Sequence, residues 1–136
     1  MAFELYQLHV LMKAKEGNTE VAPIPSAVSR HLGCHQTMAY LSSDSIRHIF
    51  RKHPDLDMFE LLHMPDMVRH GLWLTDYEKP HMAIVVYQPP DTSPRYASAL
   101  KVTGSGFEPY MSSFYRLRDR DYRAKLKRGD VLRPHL

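Results

Sequence analysis

Two histidines and three permanently charged cations lie within one short segment, residues 42–54. The imidazoles of His48 and His53 can take up and release protons near neutral pH. Three cations flank them: Arg47, Arg51 and Lys52. Cleavage of a phosphodiester needs acid-base groups held among fixed positive charges, and a purely structural helix seldom contains both. The segment is therefore the first candidate for a site that acts on phosphates.

The spacing of apolar residues predicts that a single helix carries both histidines. A serine, Ser42 or Ser43, can cap its first turn, and Pro54 disfavours helical geometry at the residue before it. The predicted buried stripe follows the i, i+3, i+4, i+7 spacing and comprises Ile46, Ile49, Phe50 and His53. His48 borders this stripe. We therefore expect His53 to hold the helix to the core and His48 to reach a cleft.

The rest of the first half is predicted to be mostly helical. Residues 3–13 fit either a first strand or a short helix. The other predicted elements are a helix at 26–32, a strand at 37–41 and short helical turns at 56–63 and 65–71.

The second half is predicted to form a sheet. Four segments are rich in β-branched and aromatic residues, at 72–75, 81–87, 95–103 and 110–117. Turn formers separate them, including the expected hairpin turn at 104–106, and such short connections favour an antiparallel meander. A closing helix is predicted at 119–127.

These elements predict one α+β domain, 1–136, as expected for a chain of 136 residues. We expect N-terminal helices on one face of a four- to five-stranded antiparallel sheet, with a basic C-terminal helix. The expected core spans about 23–128. Residues 1–22 would add a strand or helix, and 129–136 a tail.

Three residues of the predicted sheet are candidates to complete a site with the histidines. Lys101 lies on one strand face among small neighbours and can stand in a cleft. Ser113 and Arg116 lie on opposite faces of the last predicted strand, so only one of them can face the same cleft as Lys101. The competing interpretation is that all three are ordinary exposed strand residues without a role in a site, with Lys101 a solvated cation.

Positive charge is concentrated near the C-terminus. Residues 116–128 contain seven cations and two acids, a net charge of +5, which leaves −2 for the rest of a chain whose total is +3. Such a patch is typical of proteins that bind nucleic acid. A solvated helix face with internal ion pairs has the same composition. The candidate nucleic-acid-binding residues are Arg47, Arg51, Arg118, Arg120, Arg123 and Lys127.

Residues 40–55, YLSSDSIRHIFRKHPD, resemble the entry helix of the phage-associated branch of the barnase, EndoU, colicin and RelE-like (BECR-fold) nuclease superfamily. Two further motifs are similar to that branch: PDMV at 65–68 and MSSF at 111–114. The resemblance covers about residues 23–120. It implies a metal-independent endoribonuclease, toxin-like or phage-encoded, in which the RNA 2′-hydroxyl attacks the phosphate.

That resemblance also implies roles and partners. The implied catalytic residues are His48, His53, Lys101, Ser113 and Arg116. The implied partners are RNA, with tRNA as one candidate, and a neutralising antitoxin or immunity protein. No cofactor and no metal are expected. The alternative is a catalytically inactive module of the same fold that binds nucleic acid or a protein.

Targeting and redox signals are sparse. The N-terminus lacks the pattern of a secretory signal, no apolar run approaches membrane-spanning length, and Cys34 has no partner for an internal disulfide. We therefore expect a cytoplasmic protein without membrane contact.

Overall fold

The computed structural model describes residues 3–90, 94–103 and 108–136. Within these ranges the chain is an α+β fold with five α-helices, one 3₁₀ helix and eight strands in one mixed sheet. The hairpin turn expected at 104–106 lies outside the described residues. No helix in the described ranges is both long and apolar enough to cross a bilayer.

The first half alternates helices and strands. Its elements are α1 (Leu5–Lys13), β1 (Asn18–Pro23), α2 (Ser26–Leu32), β2 (Met38–Ser42) and α3 (Ser43–Lys52). Gly33 ends α2 in the left-handed region, at φ 68°, as a glycine there can. Ser42 caps α3, because its hydroxyl accepts a hydrogen bond from the amide of Ser45 at 3.0 Å. Of the two candidate caps, the structure therefore uses Ser42.

The second half supplies most of the sheet. Its elements are the 3₁₀ helix (Met58–His63), α4 (Met64–His70), β3 (Leu72–Thr75), β4 (Met82–Tyr87), β5 (Arg95–Val102), β6 (Pro109–Met111), β7 (Tyr115–Leu117), α5 (Asp119–Arg128) and β8 (Val131–Arg133). The strand predicted at 110–117 is thus two short strands, separated by residues 112–114.

The sheet is larger than the predicted four to five antiparallel strands. Its strand order is β1-β2-β6-β5-β4-β3-β8, and β7 pairs with β5 beside β6. The pairing of β2 with β6 is parallel, and the other pairings are antiparallel. The sequence predicted too few strands for two reasons. β1 and β8 lie in segments that were expected to be peripheral, and the strand predicted at 110–117 is divided into β6 and β7.

Two hydrophobic clusters lie on opposite faces of the sheet. The larger cluster joins side chains of α1 to α4 to one sheet face, and its fully buried members include Leu8, Ile46, Ile49, Trp73 and Leu100. The smaller cluster joins Leu74, Val86, Ala97 and Leu117, with Tyr122 of α5 packed against it. Leu8 also extends the core beyond the expected range of 23–128. The second sheet face is therefore covered by α5 near β3 and β7.

Candidate active site

A cleft of about 400 Å³ lies on the second sheet face, between the end of α3 and α5. Its polar and aromatic lining residues are His48, Lys52, His53, Asp76, Lys79, Ser98, Lys101, Ser112, Ser113, Tyr115 and Lys125. Four of the five residues predicted as catalytic are in this set: His48, His53, Lys101 and Ser113. The fifth, Arg116, lies elsewhere.

His48 and Lys52 reach the cleft from the exposed side of α3. They are one helical turn apart, at i and i+4, so they share a face of the helix. Both residues are exposed. Ile49, between them in sequence, is fully buried and holds this part of α3 to the core.

His53 does not lie in the core, contrary to the prediction. It is half-buried, lines the cleft and stacks on Tyr115, with ring centroids 5.4 Å apart and planes 24° apart. The helical periodicity fails here because α3 ends at Lys52, and His53 has φ −129° and ψ 71°. A residue that leaves the helix no longer continues its buried stripe, so the ring turns toward β7.

Lys101 reaches the cleft by strand alternation. Leu100, its neighbour in β5, is fully buried on the face covered by α1 to α4, so the side chain of Lys101 points to the opposite face. Its partners on the adjacent strands are Met82 and Tyr110. Met82 also lines the cleft. Lys101 is an exposed residue, so its ammonium group can reach an anion in the cleft.

Ser112 and Ser113 both line the cleft because the chain between β6 and β7 is irregular. The Ser113 hydroxyl accepts a hydrogen bond from the Ala99 amide at 3.0 Å. The Ser112 hydroxyl donates to the Ala99 carbonyl at 3.1 Å, and Ser98 donates to the Ser113 carbonyl. These bonds anchor the segment to β5. Since Ser113 only accepts in its bond to Ala99, its hydroxyl hydrogen can be donated to a ligand.

Arg116 lies on the other face of the sheet from the cleft. Its guanidinium donates to both carboxylate oxygens of Glu60, at 2.9 and 2.7 Å, and to the side chain and carbonyl of Asp55, each at 3.3 Å. The Glu60 carboxylate also accepts from the Tyr96 hydroxyl at 2.6 Å and from the Asp57 amide at 2.9 Å. We call this network the Glu60 clamp.

The Glu60 clamp shifts the acidity of its members. Hydrogen bonds from Arg116 lower the pKa of Glu60 to about 2, against the opposing effect of burial. Burial and the adjacent carboxylate raise the pKa of Tyr96, and the carboxylate also raises the pKa of Arg116. The clamp therefore holds one carboxylate and one guanidinium in their charged forms. It ties the 3₁₀ helix and the segment after α3 to β7.

Arg47, predicted to bind nucleic acid, is engaged in structural contacts. Its guanidinium donates to the carbonyl oxygens of Met12, Ala14 and Lys15 and to the carboxylate of Asp44, which lies 2.9 Å away. These carbonyls belong to the end of α1 and the residues that follow, where helix carbonyls lack partners within the helix. Arg47 thus fastens α1 to α3 and does not line the cleft.

The other predicted nucleic-acid-binding residues are on the surface outside the cleft. They are Arg51 of α3, Arg118 beside α5, and Arg120, Arg123 and Lys127 of α5, and all are exposed. From α5, it is Lys125 that lines the cleft.

Charge in the cleft is strongly unbalanced. Its lysines are Lys52, Lys79, Lys101 and Lys125. Asp76 is the single acid among the lining residues within the described ranges. Clefts lined by one sign of charge concentrate ligands of the opposite sign. The cleft is therefore suited to an anionic ligand that also meets two imidazoles.

Sequence reasoning missed three of these lysines as site residues. Lys52 had a usable signal, its i+4 spacing from His48. Lys125 lay within the basic segment but was not distinguished from its neighbours. Lys79 lies in a turn between β3 and β4, and no local pattern indicates that this turn borders the cleft.

Within the described residues, no three or more histidine, cysteine, aspartate or glutamate side chains are grouped so that they could hold a metal ion. Comparisons with family models, with curated proteins and with solved structures each found no match to this chain.

Proposed function

We propose that this protein is a metal-independent endoribonuclease and that RNA binds with its scissile phosphate in the cleft. The observation that carries the proposal is the lining of the cleft, where His48 and His53 occur together with four lysines and one carboxylate. Cleavage of a phosphodiester requires binding of the anionic substrate, transfer of protons and stabilisation of the developing negative charge. The lysines of the lining can provide the first and the third, and the imidazoles can provide the second.

The proposed reaction is a transesterification at phosphorus. One imidazole removes the proton of the 2′-hydroxyl, whose oxygen forms a bond to phosphorus. The bond from phosphorus to the 5′-oxygen breaks, and the other imidazole, in its protonated form, gives that oxygen a proton. The products are a 2′,3′-cyclic phosphate and a 5′-hydroxyl end. Lys101 and the Ser113 hydroxyl stabilise the charge that develops on the phosphorane oxygens.

The surface beyond the cleft supports the same substrate. The exposed cations of α5 and Arg51 would contact phosphates away from the scissile bond and would position the strand without reading its sequence. In this proposal, α5 serves as the basic C-terminal helix that the resemblance to BECR-fold nucleases implies. A neutralising partner of a toxin-like enzyme would cover the cleft with acidic side chains.

The test is incubation of purified protein with total RNA in EDTA. We expect wild-type protein to cleave RNA and His48→Ala to lose about 10²- to 10⁴-fold in rate, because a positioned general acid or base contributes that much. His31→Ala is the matched control, since His31 is an exposed histidine on α2 and does not line the cleft. Equal cleavage by wild type and His48→Ala, or cleavage that needs a divalent ion, would refute the proposal.

The alternative is a catalytically inactive module that binds nucleic acid. It is favoured by the position of Arg116, whose guanidinium is held by Glu60 and Asp55 and so gives the cleft no bidentate phosphate ligand. Under this alternative the protein binds RNA in EDTA, and the RNA remains intact in the same incubation.

A further inference from the structure

A second hollow adjoins the cleft on the same sheet face. It measures about 680 Å³ and shares Lys101 and Ser112 with the cleft. The remaining lining contains one carboxylate, that of Glu16, and is otherwise uncharged; it includes Asn18, Ser42 and Thr103. A ligand that enters both hollows would thus pass at Lys101 from a region with four lysines to one whose other side chains are mostly uncharged.

An aromatic pair lies beside Lys101, and one of its members, Tyr110, lines the second hollow. Tyr40 of β2, Tyr110 of β6 and Lys101 of β5 are successive partners across three adjacent strands. The neighbours of both tyrosines, among them Leu41 and Met111, are buried in the core on the opposite face. The two tyrosine rings therefore project on the face that bears Lys101. Their centroids are 5.8 Å apart and their planes are inclined by 41°.

Tyr110 presents both a ring and a hydroxyl to the hollow. The ring is half-buried and belongs to the lining. The hydroxyl accepts a hydrogen bond from the side-chain amide of Asn18 at 3.3 Å, so its hydrogen remains for donation to a ligand. Burial raises the pKa of Tyr110, which keeps this hydroxyl protonated.

We propose that the second hollow is a nucleobase subsite, in which the base next to the phosphate at Lys101 stacks on Tyr110. This inference rests on the proposed function, because it takes RNA as the ligand of the cleft. An aromatic side chain beside a cationic groove is a general means of binding unpaired nucleotides. Bases in a duplex are already stacked on each other, so the subsite selects single-stranded RNA.

The first test leaves the protein unchanged and removes bases from the ligand. The probe is a short, fluorescein-labelled 2′-O-methyl oligonucleotide, which has no 2′-hydroxyl to attack the phosphate. Abasic nucleotides are placed at each position in turn, and affinity is measured in EDTA by fluorescence anisotropy. We expect one position at which loss of the base weakens binding by about tenfold, the effect of one base-aromatic stack. Equal affinity for every abasic probe would overturn the proposal.

The second test changes the ring. Tyr110→Leu should weaken binding of the intact probe by about tenfold, whereas Tyr110→Phe, which keeps the ring, should stay within about twofold. Tyr110→Leu should also bind the critical abasic probe as tightly as wild type does. Tyr6→Leu is the control, because Tyr6 is 72% exposed on α1 and lines neither hollow. If the Tyr110→Leu protein binds the intact probe with wild-type affinity, the proposed subsite is contradicted.

Tripolyphosphate separates the subsite from the cleft. Titration calorimetry should give the same affinity for this base-free anion with wild type and Tyr110→Leu, and a tenfold loss with the variant would mean that the substitution only disturbs the sheet. Because the probes cannot be cleaved, the subsite is tested even if the protein has no nuclease activity. Absence of RNA cleavage would overturn the proposed reaction alone, and absence of the base effect would overturn the subsite alone.

Discussion

Arg116 and Lys101 were predicted for the same site but have different environments. They differ in the shape of the charged group and in the face of the sheet on which each side chain lies. Arg116 meets Glu60 with two nitrogen atoms, as a planar guanidinium can with a carboxylate. Lys101 is a compact charge on the opposite face of the sheet, exposed in the cleft. We therefore assign Lys101 to the proposed catalytic surface and regard Arg116 as a positioning residue for the segment that carries His53.

Substitution of these two residues should separate catalysis from stability. We expect Lys101→Gln to lower kcat/KM for RNA cleavage by about 10²-fold, since a group that stabilises developing charge is lost. Its free energy of unfolding should change by no more than about 0.5 kcal/mol, as for other exposed positions. Arg116→Gln should instead lower the melting temperature, because Glu60 loses its guanidinium partner. Cleavage assays measure the change in kcat/KM, and thermal melts measure the change in melting temperature. A Lys101→Gln protein with full activity would contradict the assignment of Lys101 to the catalytic surface.

At the scale of elements, β7 holds the end of α3 from both sides of the sheet. Tyr115 stacks on His53 in the cleft, while the next residue, Arg116, binds Asp55 and Glu60 on the other face. Both contacts depend on the turn of the chain after Lys52. The Glu60 clamp therefore maintains the geometry of the cleft from behind it.

The Glu60 clamp predicts an acid-sensitive contribution to stability. The pKa of Glu60 is lower in the folded protein, about 2, than the value of about 4.3 expected in the unfolded chain. Its contribution is therefore fully present above about pH 5 and is lost as the pH falls toward 2. Glu60→Gln should destabilise the protein by at most about 1 kcal/mol at pH 7, because solvent screens a pair whose guanidinium is exposed, and it should flatten this acid limb.

Denaturant unfolding from pH 7 to pH 2 measures this dependence. Glu20→Gln, at an exposed position on β1, is the matched control and should follow the wild-type curve. If wild type and Glu60→Gln lose stability in parallel over this range, the clamp does not carry the acid dependence.

At the scale of the whole molecule, the fold concentrates charge that the sequence spreads out. The chain has a net charge of only +3, yet four lysines from four separate segments converge on one cleft. In the proposed RNA complex, a phosphate in the cleft would displace counterions from the nucleic acid, so the affinity for RNA should fall as the salt concentration rises. Further exposed cations of α5, among them Arg120 and Arg123, lie outside this cleft.

Salt dependence should identify the lysines that contact phosphate. For binding of the 2′-O-methyl probe, we expect log affinity to fall linearly with log salt concentration, and Lys125→Gln to reduce the slope by about 1. Arg30→Gln, which removes an exposed cation on α2, should leave the slope unchanged. Fluorescence anisotropy over a range of potassium chloride concentrations gives these slopes. An unchanged slope for Lys125→Gln would exclude a phosphate contact at this residue.

Much of the secondary structure followed from local signals. The end of α2 at Gly33, the start of α3 at its serine cap and the bounds of β3 could be predicted because each depends on a few neighbouring residues. Alternation along β5 likewise predicted the face of Lys101. Such signals need no knowledge of distant contacts.

Contacts between distant residues decided the rest. β8 forms by pairing with β3, and β2 pairs with β6 across more than half of the chain, in a parallel direction that a meander does not predict. The face of Arg116 is likewise set by a distant contact, the pairing of β7 with β5.

The two-histidine helix illustrates the same division. By itself the sequence determined the helix, its capping by one of two serines and the exposed side that carries His48. Only the tertiary structure decided that His53 lies in the cleft, because its direction is set after the helix ends, by stacking on a tyrosine of β7. Helical periodicity describes residues inside a helix, whereas the residue that follows it takes its position from the surface on which it packs.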